Sequence, residues 1–497
     1  MYHGPIWFDD KETYHFLRDN YKDIPRVDPP IGHIKPYVLT PEVTRMDERK
    51  KRIRSLAALY GNEYAQKILY FHLCLDRFLR LAMPINRLSS LLNETFFYFE
   101  RYLYMPLAWD DDKTVFYRDH SLHAAHEAFL GYELLKNFPD LEQKIKKFLA
   151  QNNDITRYIN DNCRIGLTND QVFEHIIYRT WFLSALFHDL GYVLSFNREI
   201  REKMLSFHRH SDLILRADKS SFNDIQLLLG NSLLFSTVKT KNIEAGYNQN
   251  RHGTLSAFLL LATFYSPPTF DGVDLLDRAA IELAAHAIYC HDCVEEETVK
   301  LKSLKAEIPP FGKYAGYFNN ENLSKDIKEL LIKKGMKNSE AFKIEIPIEN
   351  NQPLKRRPFQ ESPFAFYLRF IDELHVFGRN FLSFATDPTK VKKLLKLNES
   401  PFSYSMPFIR NLVLFPAQLV EILNNKLRVY YIVDASLYYQ EWGGKSNPHF
   451  DSGSTCFNEA AVGKFLNELY WLKRSIKESK LFDDLDFFFI EIWPNGK

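Results

Sequence analysis

Histidines and carboxylates recur along this chain at spacings that could assemble a metal site. In YRDHSLHAAHEAFLGYELL, His120, His123 and His126 stand at i, i+3 and i+6. On a helix turning ~100° per residue, His120 and His123 lie about 60° apart and Glu127 returns close to the azimuth of His120. One face therefore offers two imidazoles and a carboxylate, while Leu130, Leu134 and Leu135 fall mostly elsewhere. In TWFLSALFHDLGYVL, His188 and Asp189 close an apolar run. An imidazole nitrogen beside a carboxylate suits Fe, Mn, Ni, Zn or Mg. Burying that ionisable pair is costly unless something pairs with it, and a cation is the simplest partner. The same dipeptide recurs at His291-Asp292, so the pair by itself carries no information and its apolar setting must discriminate.

Further histidines follow in NRHGTLSAFLLL (His252) and AAIELAAHAIYCHD (His286 and His291). Five residues separate the last two, about 140° on a regular helix, so both are not expected at one site. His291, at the helix end, is the better placed to turn toward a cleft, and His286 reads as a hydrogen-bonded core residue. In FAFYLRFIDELHVFGR, Asp372 and Arg379 share a face, with His375 one turn from Asp372. A carboxylate inside so apolar a helix again calls for a charge partner.

These residues need rigid elements to hold them. Helical periodicity is clearest over His120–Asn137, Gln171–Tyr192, His252–Tyr265, Leu275–His291 and Pro363–Phe381, with an earlier run over Arg45–Tyr104. Residues 197–250 and 301–360 read as insertions between core helices. The first forty or so residues, rich in proline, read as an extended arm. After Asp387 the character changes: Lys426–Ala435 and Phe482–Trp493 are β-branched or aromatic strand candidates, with a helix at Glu459–Ser475 between them. The expected organisation is an N-terminal arm and helical extension (1–112), a helical core (113–384) and a small α+β C-terminal unit (385–497).

Composition narrows the function classes. The 497 residues are 45% hydrophobic and 26% charged, an ordinary globular balance that excludes a disordered or collagenous chain. Lys plus Arg (64) nearly cancel Asp plus Glu (63), leaving no global footprint for nucleic acid. The five cysteines, Cys74, Cys163, Cys290, Cys293 and Cys456, form no disulfide framework. Cys290 and Cys293 lack the second ligand pair a structural zinc needs. Neither a leader peptide nor a membrane span is expected, and the reading is cytoplasmic. Gly443-Gly444-Lys445-Ser446 has Tyr439 where a phosphate-binding loop needs its first glycine, and reads as a surface loop. The Lys355-Arg356-Arg357 stretch and the Lys390–Lys396 run read as solvated faces.

The order His120, His188-Asp189, His252, His291, Asp372 resembles the HD-domain metal-dependent phosphohydrolase superfamily. HSLHAA is similar to the helix of the first histidine, LFHDLGY to that of the doublet, RHGTLSAFLL and AIYCH to those of additional histidines, and FIDELHVFGR to the closing helix with the distal Asp. The resemblance covers roughly residues 113–384. It implies a mainly α protein with an HD-type helical bundle core, flanked by the N-terminal extension and the C-terminal unit. It also implies one or two divalent ions (Mn, Fe, Mg, Ni or Zn). His120, His188, Asp189 and Asp372 would hold the first, and Asp189 would bridge to a second held by His252 and His291. A metal-activated hydroxide would attack phosphorus. His123 and Glu127 are then candidates for protonating the leaving group, orienting water or aiming a ligand, and Arg379 for contacting a substrate phosphate.

Departures bear on the substrate. Deoxynucleotide triphosphohydrolases usually carry a His-Pro-Pro-Phe-Gly-His type stretch after the doublet, where this chain has GYVLSFNRE. The Gly-Tyr-Pro signature of cyclic-dinucleotide phosphodiesterases and the synthetase domain of guanosine-tetraphosphate hydrolases are both missing. The expectation is hydrolysis of a phosphoester or phosphoanhydride bond in a small nucleotide, with a deoxynucleoside triphosphate as one candidate. The alternatives are a phosphodiesterase or nuclease acting on cyclic nucleotide or single-stranded nucleic acid, and a non-catalytic metal-containing nucleotide sensor. A nucleotide effector and a homo-oligomer are the further partners expected.

Overall fold

The computed structural model describes residues 2–7, 120–191, 222–265, 275–292, 318–344, 362–375, 417–434 and 469–492, apart from short gaps within these ranges. The helical run expected over Arg45–Tyr104, the helix start at Glu459, the basic stretches, the Gly443–Ser446 loop and Arg379 lie outside them. The described part is mostly helical, with one small sheet. No described helix is long and apolar enough to cross a membrane.

Eleven described helices follow one another: α1 (His120–Asn137), α2 (Pro139–Gln151), α3 (Asn153–Cys163), α4 (Asp170–Phe187), α5 (Phe222–Leu229), α6 (Leu233–Thr237), α7 (Thr240–Asn248), α8 (His252–Tyr265), α9 (Leu275–Asp292), α10 (Lys325–Lys333) and α11 (Pro363–His375). Helix α9 is the axis of the bundle. Its side chains are buried almost without interruption from Leu276 to His291, as expected of a helix enclosed on every side. Helices α8, α4 and α11 pack around it, with α3 and α6 at its start. Two charged groups inside this packing are met by partners: Arg179 pairs with Asp277, and the Glu282 carboxylate accepts from Tyr158 Oη (3.0 Å) and the Leu233 amide (2.9 Å). The second of those bonds satisfies an amide at the start of α6.

One aromatic node joins α1, α4 and α11. Trp181 packs so closely over Gly131 that a Cβ there would fall 2.0 Å from the indole. The indole Nε1 donates to Ala128 O (3.0 Å), and Tyr367 Oη donates to Gly131 O (2.7 Å). Tyr367 and Trp181 also meet ring to ring, with centroids 4.7 Å apart. Gly131, Trp181 and Tyr367 are all buried, where such bonds hold one arrangement of the helices.

The sheet draws on distant parts of the chain. Strands β1 (Tyr2–Trp7), β2 (Phe318–Glu321), β3 (Ser339–Ile344), β4 (Ala417–Leu423), β5 (Lys426–Asp434) and β6 (Asp484–Ile492) lie in the order β1-β4-β5-β6-β3-β2. The start of the chain is thus not wholly an extended arm: β1 pairs antiparallel with β4. The 301–360 insertion likewise supplies β2, α10 and β3. The reason is edge pairing: the β4-β5-β6 centre leaves two open edges, which β1 completes at β4 and β3 at β6. Asn424 and Asn425, both at positive φ (51° and 61°), make the two-residue β4–β5 hairpin. Helix α10 closes one face over Trp7, Leu419, Tyr430 and Phe488.

Candidate metal centre

Four helices and one turn deliver the polar residues singled out above. His123 and Glu127 lie on consecutive turns of α1, both fully buried. His188 and Asp189 sit in the turn that ends α4, where the His188 amide still bonds to Ser184 O (3.1 Å). Asp372 comes from α11, His252 opens α8, and His291 lies one residue from the end of α9.

Ligand atoms of His123, Glu127, His188 and Asp372 all lie within 4.8 Å of one another, a group that could hold a metal ion. His123 Nε2 is 2.7 Å from Glu127 Oε1, 3.1 Å from Asp372 Oδ1 and 4.0 Å from Asp189 Oδ2. His188 Nε2 is 3.1 Å from Asp189 Oδ1, and its Nδ1 is 3.4 Å from Glu127 Oε2. Asp189 Oδ1 is in turn 3.9 Å from His252 Nε2. The His291 ring stands edge-on to those of His188 (centroids 5.5 Å) and His252 (5.3 Å).

Tautomers follow from the hydrogen bonds. A carbonyl can only accept, so His188 Nδ1 donates to Ala185 O (2.9 Å) and His291 Nδ1 donates to Ile288 O. In each neutral ring the Nε2 lone pair is left over. Both Nε2 atoms are buried; that of His291 makes no hydrogen bond within the protein, and that of His188 faces only the Asp189 carboxylate. Imidazole nitrogens placed in this way beside buried carboxylates are the donor set a divalent cation satisfies, so the residues fit a metal.

The electrostatics point the same way. Burial would lower the His188 pKa, but the Asp189 and Glu127 carboxylates outweigh it and push it up to about 10. Burial likewise opposes ionisation of Asp372, yet the His123 hydrogen bond and the charge on His188 hold its carboxyl well below the usual range. His291 moves oppositely: burial, reinforced by His252 and His188, pulls it down to about 4. Without a metal the carboxylates thus hold a proton on His188, which a cation at Nε2 would displace, while His291 is held neutral.

Close backbone approaches set this geometry. The Ser256 hydroxyl accepts from the Gly191 amide (2.6 Å) and donates to His188 O (2.5 Å), tying the doublet turn to α8. A Cβ on Gly191 would fall 2.0 Å from His252 O.

The structure brings together His188, Asp189, His252, His291 and Asp372, with His123 and Glu127 among them. His120 opens α1, one turn before His123, and its side chain lies outside the described residues, as does that of His375. His286, also buried, instead faces Cys290 Sγ at 3.7 Å. Sequence reasoning passed over Asp292, whose Oδ2 lies 3.3 Å from His252 Nδ1. Its signal was the second His-Asp dipeptide, set aside as chance. Ser256 carried no signal, since a serine in an apolar helix is unremarkable. Compared with known proteins, the chain matches no protein-family model, no curated protein and no solved structure.

Proposed function

We propose that this protein is a metal-dependent phosphohydrolase acting on a small nucleotide. The observation that carries the reading is the convergence of His123, Glu127, His188 and Asp372 on one buried point, with Asp189 beside them. A divalent cation bound there would supply Lewis acidity toward a phosphoryl oxygen and acidify a bound water. In this reading His123, His188, Asp189 and Asp372 hold the first ion. His123 joins the set beside the His120 of the motif order, because its Nε2 lies 3.1 Å from Asp372 Oδ1. Glu127 lies against both His123 and His188 and fixes their orientation. Asp189, between His188 and His252, can serve two cations at once, and His252 and His291 complete the second set. Asp372, whose side chain is about a quarter exposed (23%), would be the ligand that substrate meets. Near-zero net charge favours a small substrate over a polynucleotide.

The test is to incubate the protein with Mn, Mg, Fe, Ni or Zn and a panel of deoxy- and ribonucleotides, cyclic nucleotides and single-stranded DNA. Asp189→Ala runs alongside. Phosphate or pyrophosphate released by the wild type and lost in the variant supports the reading. Stoichiometric metal without turnover of any substrate would overturn it in favour of a sensor.

A further inference from the structure

The second His-Asp dipeptide divides between two tasks. His291 turns inward, toward His188 and His252. Asp292, the last residue of α9, turns toward the start of α8. There its Oδ2 lies 3.3 Å from His252 Nδ1 and accepts the Gly253 amide at 3.0 Å. The opposite nitrogen of His252, Nε2, faces Asp189 Oδ1 at 3.9 Å. The approach is close enough to require glycine: a Cβ at position 253 would fall 2.5 Å from Asp292 Cβ and 2.7 Å from Ile288 O.

The other two rings explain why a carboxylate is needed here. His188 and His291 each anchor Nδ1 on the carbonyl three residues earlier in their own chain turn. His252 opens its helix and has no preceding helical turn to offer that carbonyl. The end of α9 brings a carboxylate to that nitrogen.

We propose that Asp292 is a positioning residue for His252: it accepts the Nδ1 proton, so that the Nε2 lone pair faces a second cation shared with Asp189 and His291. This inference rests on the metal-site reading above. Carboxylates behind ligating imidazoles act in this way, and their loss typically weakens metal binding ~10–100-fold.

The experiment is a Co(II) titration of the metal-stripped full chain, followed by calorimetry and by the visible absorption of the bound ion, with a thermal melt of every variant. Wild type should take up two ions. Asp292→Ala should weaken the second by about 10–100-fold and leave the first unmoved, whereas Asp372→Ala should weaken the first. Asp292→Asn retains one acceptor oxygen and should fall between, which also covers the case in which the alanine variant does not fold. In a His252→Ala background, adding Asp292→Ala should cause no further loss. A lower melting temperature with both isotherms unchanged would overturn the proposal and leave Asp292 as a cap on α8. One ion in the wild type, sensitive to Asp372→Ala alone, would also overturn it while sparing the first site. No uptake by the wild type would remove the metal-site reading itself.

Discussion

Three carboxylates, Glu127, Asp189 and Asp372, share a small volume with His123 and His188, and the first two are almost wholly buried. Such a set holds together only if positive charge is present, either as imidazolium or as a cation. The two perturbed histidines make this measurable in metal-stripped protein. His188, raised to about 10, binds a proton more tightly in the folded chain than its ordinary value of 6.5 allows. Its stabilising contribution is complete below pH ~6.5 and is lost as the pH rises toward 10. His291, lowered to about 4, takes up its proton more readily when unfolded, so stability falls as the pH drops from 6.5 toward 4. From these two groups, the metal-free protein should be most stable near pH 6.5, as read by urea midpoints across the range. Adding Mn or Zn at neutral pH should release protons and raise the melting temperature, by about 2.7 kcal/mol of added stability at a hundredfold excess over Kd. A metal-insensitive midpoint would contradict both expectations.

Between elements, α8 is the piece that sets the two halves of the centre. Its first turn bonds to the doublet turn through Ser256 and to the end of α9 through Gly253. Neither contact tolerates extra volume. Gly191→Ala would drive a methyl group into the His252 carbonyl, 2.0 Å away, and no flexible side chain is there to yield. The expected cost is about 1–3 kcal/mol. The displacement should also weaken metal binding, which separates it from an ordinary overpacked core position. Ser256→Ala deletes the hydroxyl that bridges Gly191 N and His188 O and so removes two buried hydrogen bonds, at roughly 1–3 kcal/mol. Chemical denaturation and Co(II) binding on the two variants check both effects.

At the scale of the whole molecule, the sheet unit is docked on the bundle beside the helices that carry the centre. Phe482, just before β6, meets Phe138 (centroids 4.7 Å) after α1 and Phe370 (6.3 Å) on α11, two residues from Asp372. Lys144 on α2 donates to the carbonyls of Lys480 (2.7 Å) and Leu481 (3.1 Å). Phe482→Ala should therefore cost about 3–5 kcal/mol. Because α11 loses a packing partner, the variant should also bind metal at the Asp372 site less tightly than wild type. Unfolding with two separate transitions, absent from the wild type, would show that this contact couples the units.

Helix periodicity located α1, α4, α8, α9 and α11 because each must bury apolar residues, and burial writes a pattern into the local sequence. The two central strands were legible for the same reason. The residue types that could hold a metal were legible too, since ionisable groups in apolar helices stand out. Pairing between distant segments was not: β1 and the β2–α10–β3 stretch join the sheet through backbone hydrogen bonds, which carry no residue signature. Nor could spacing show that His123 would meet Asp372, because that contact depends on where α11 lies against α1. Asp292 and Ser256 were hidden for the same reason. Their roles arise from the approach of one helix end to another, a distance that the packing of the bundle sets and local sequence does not record.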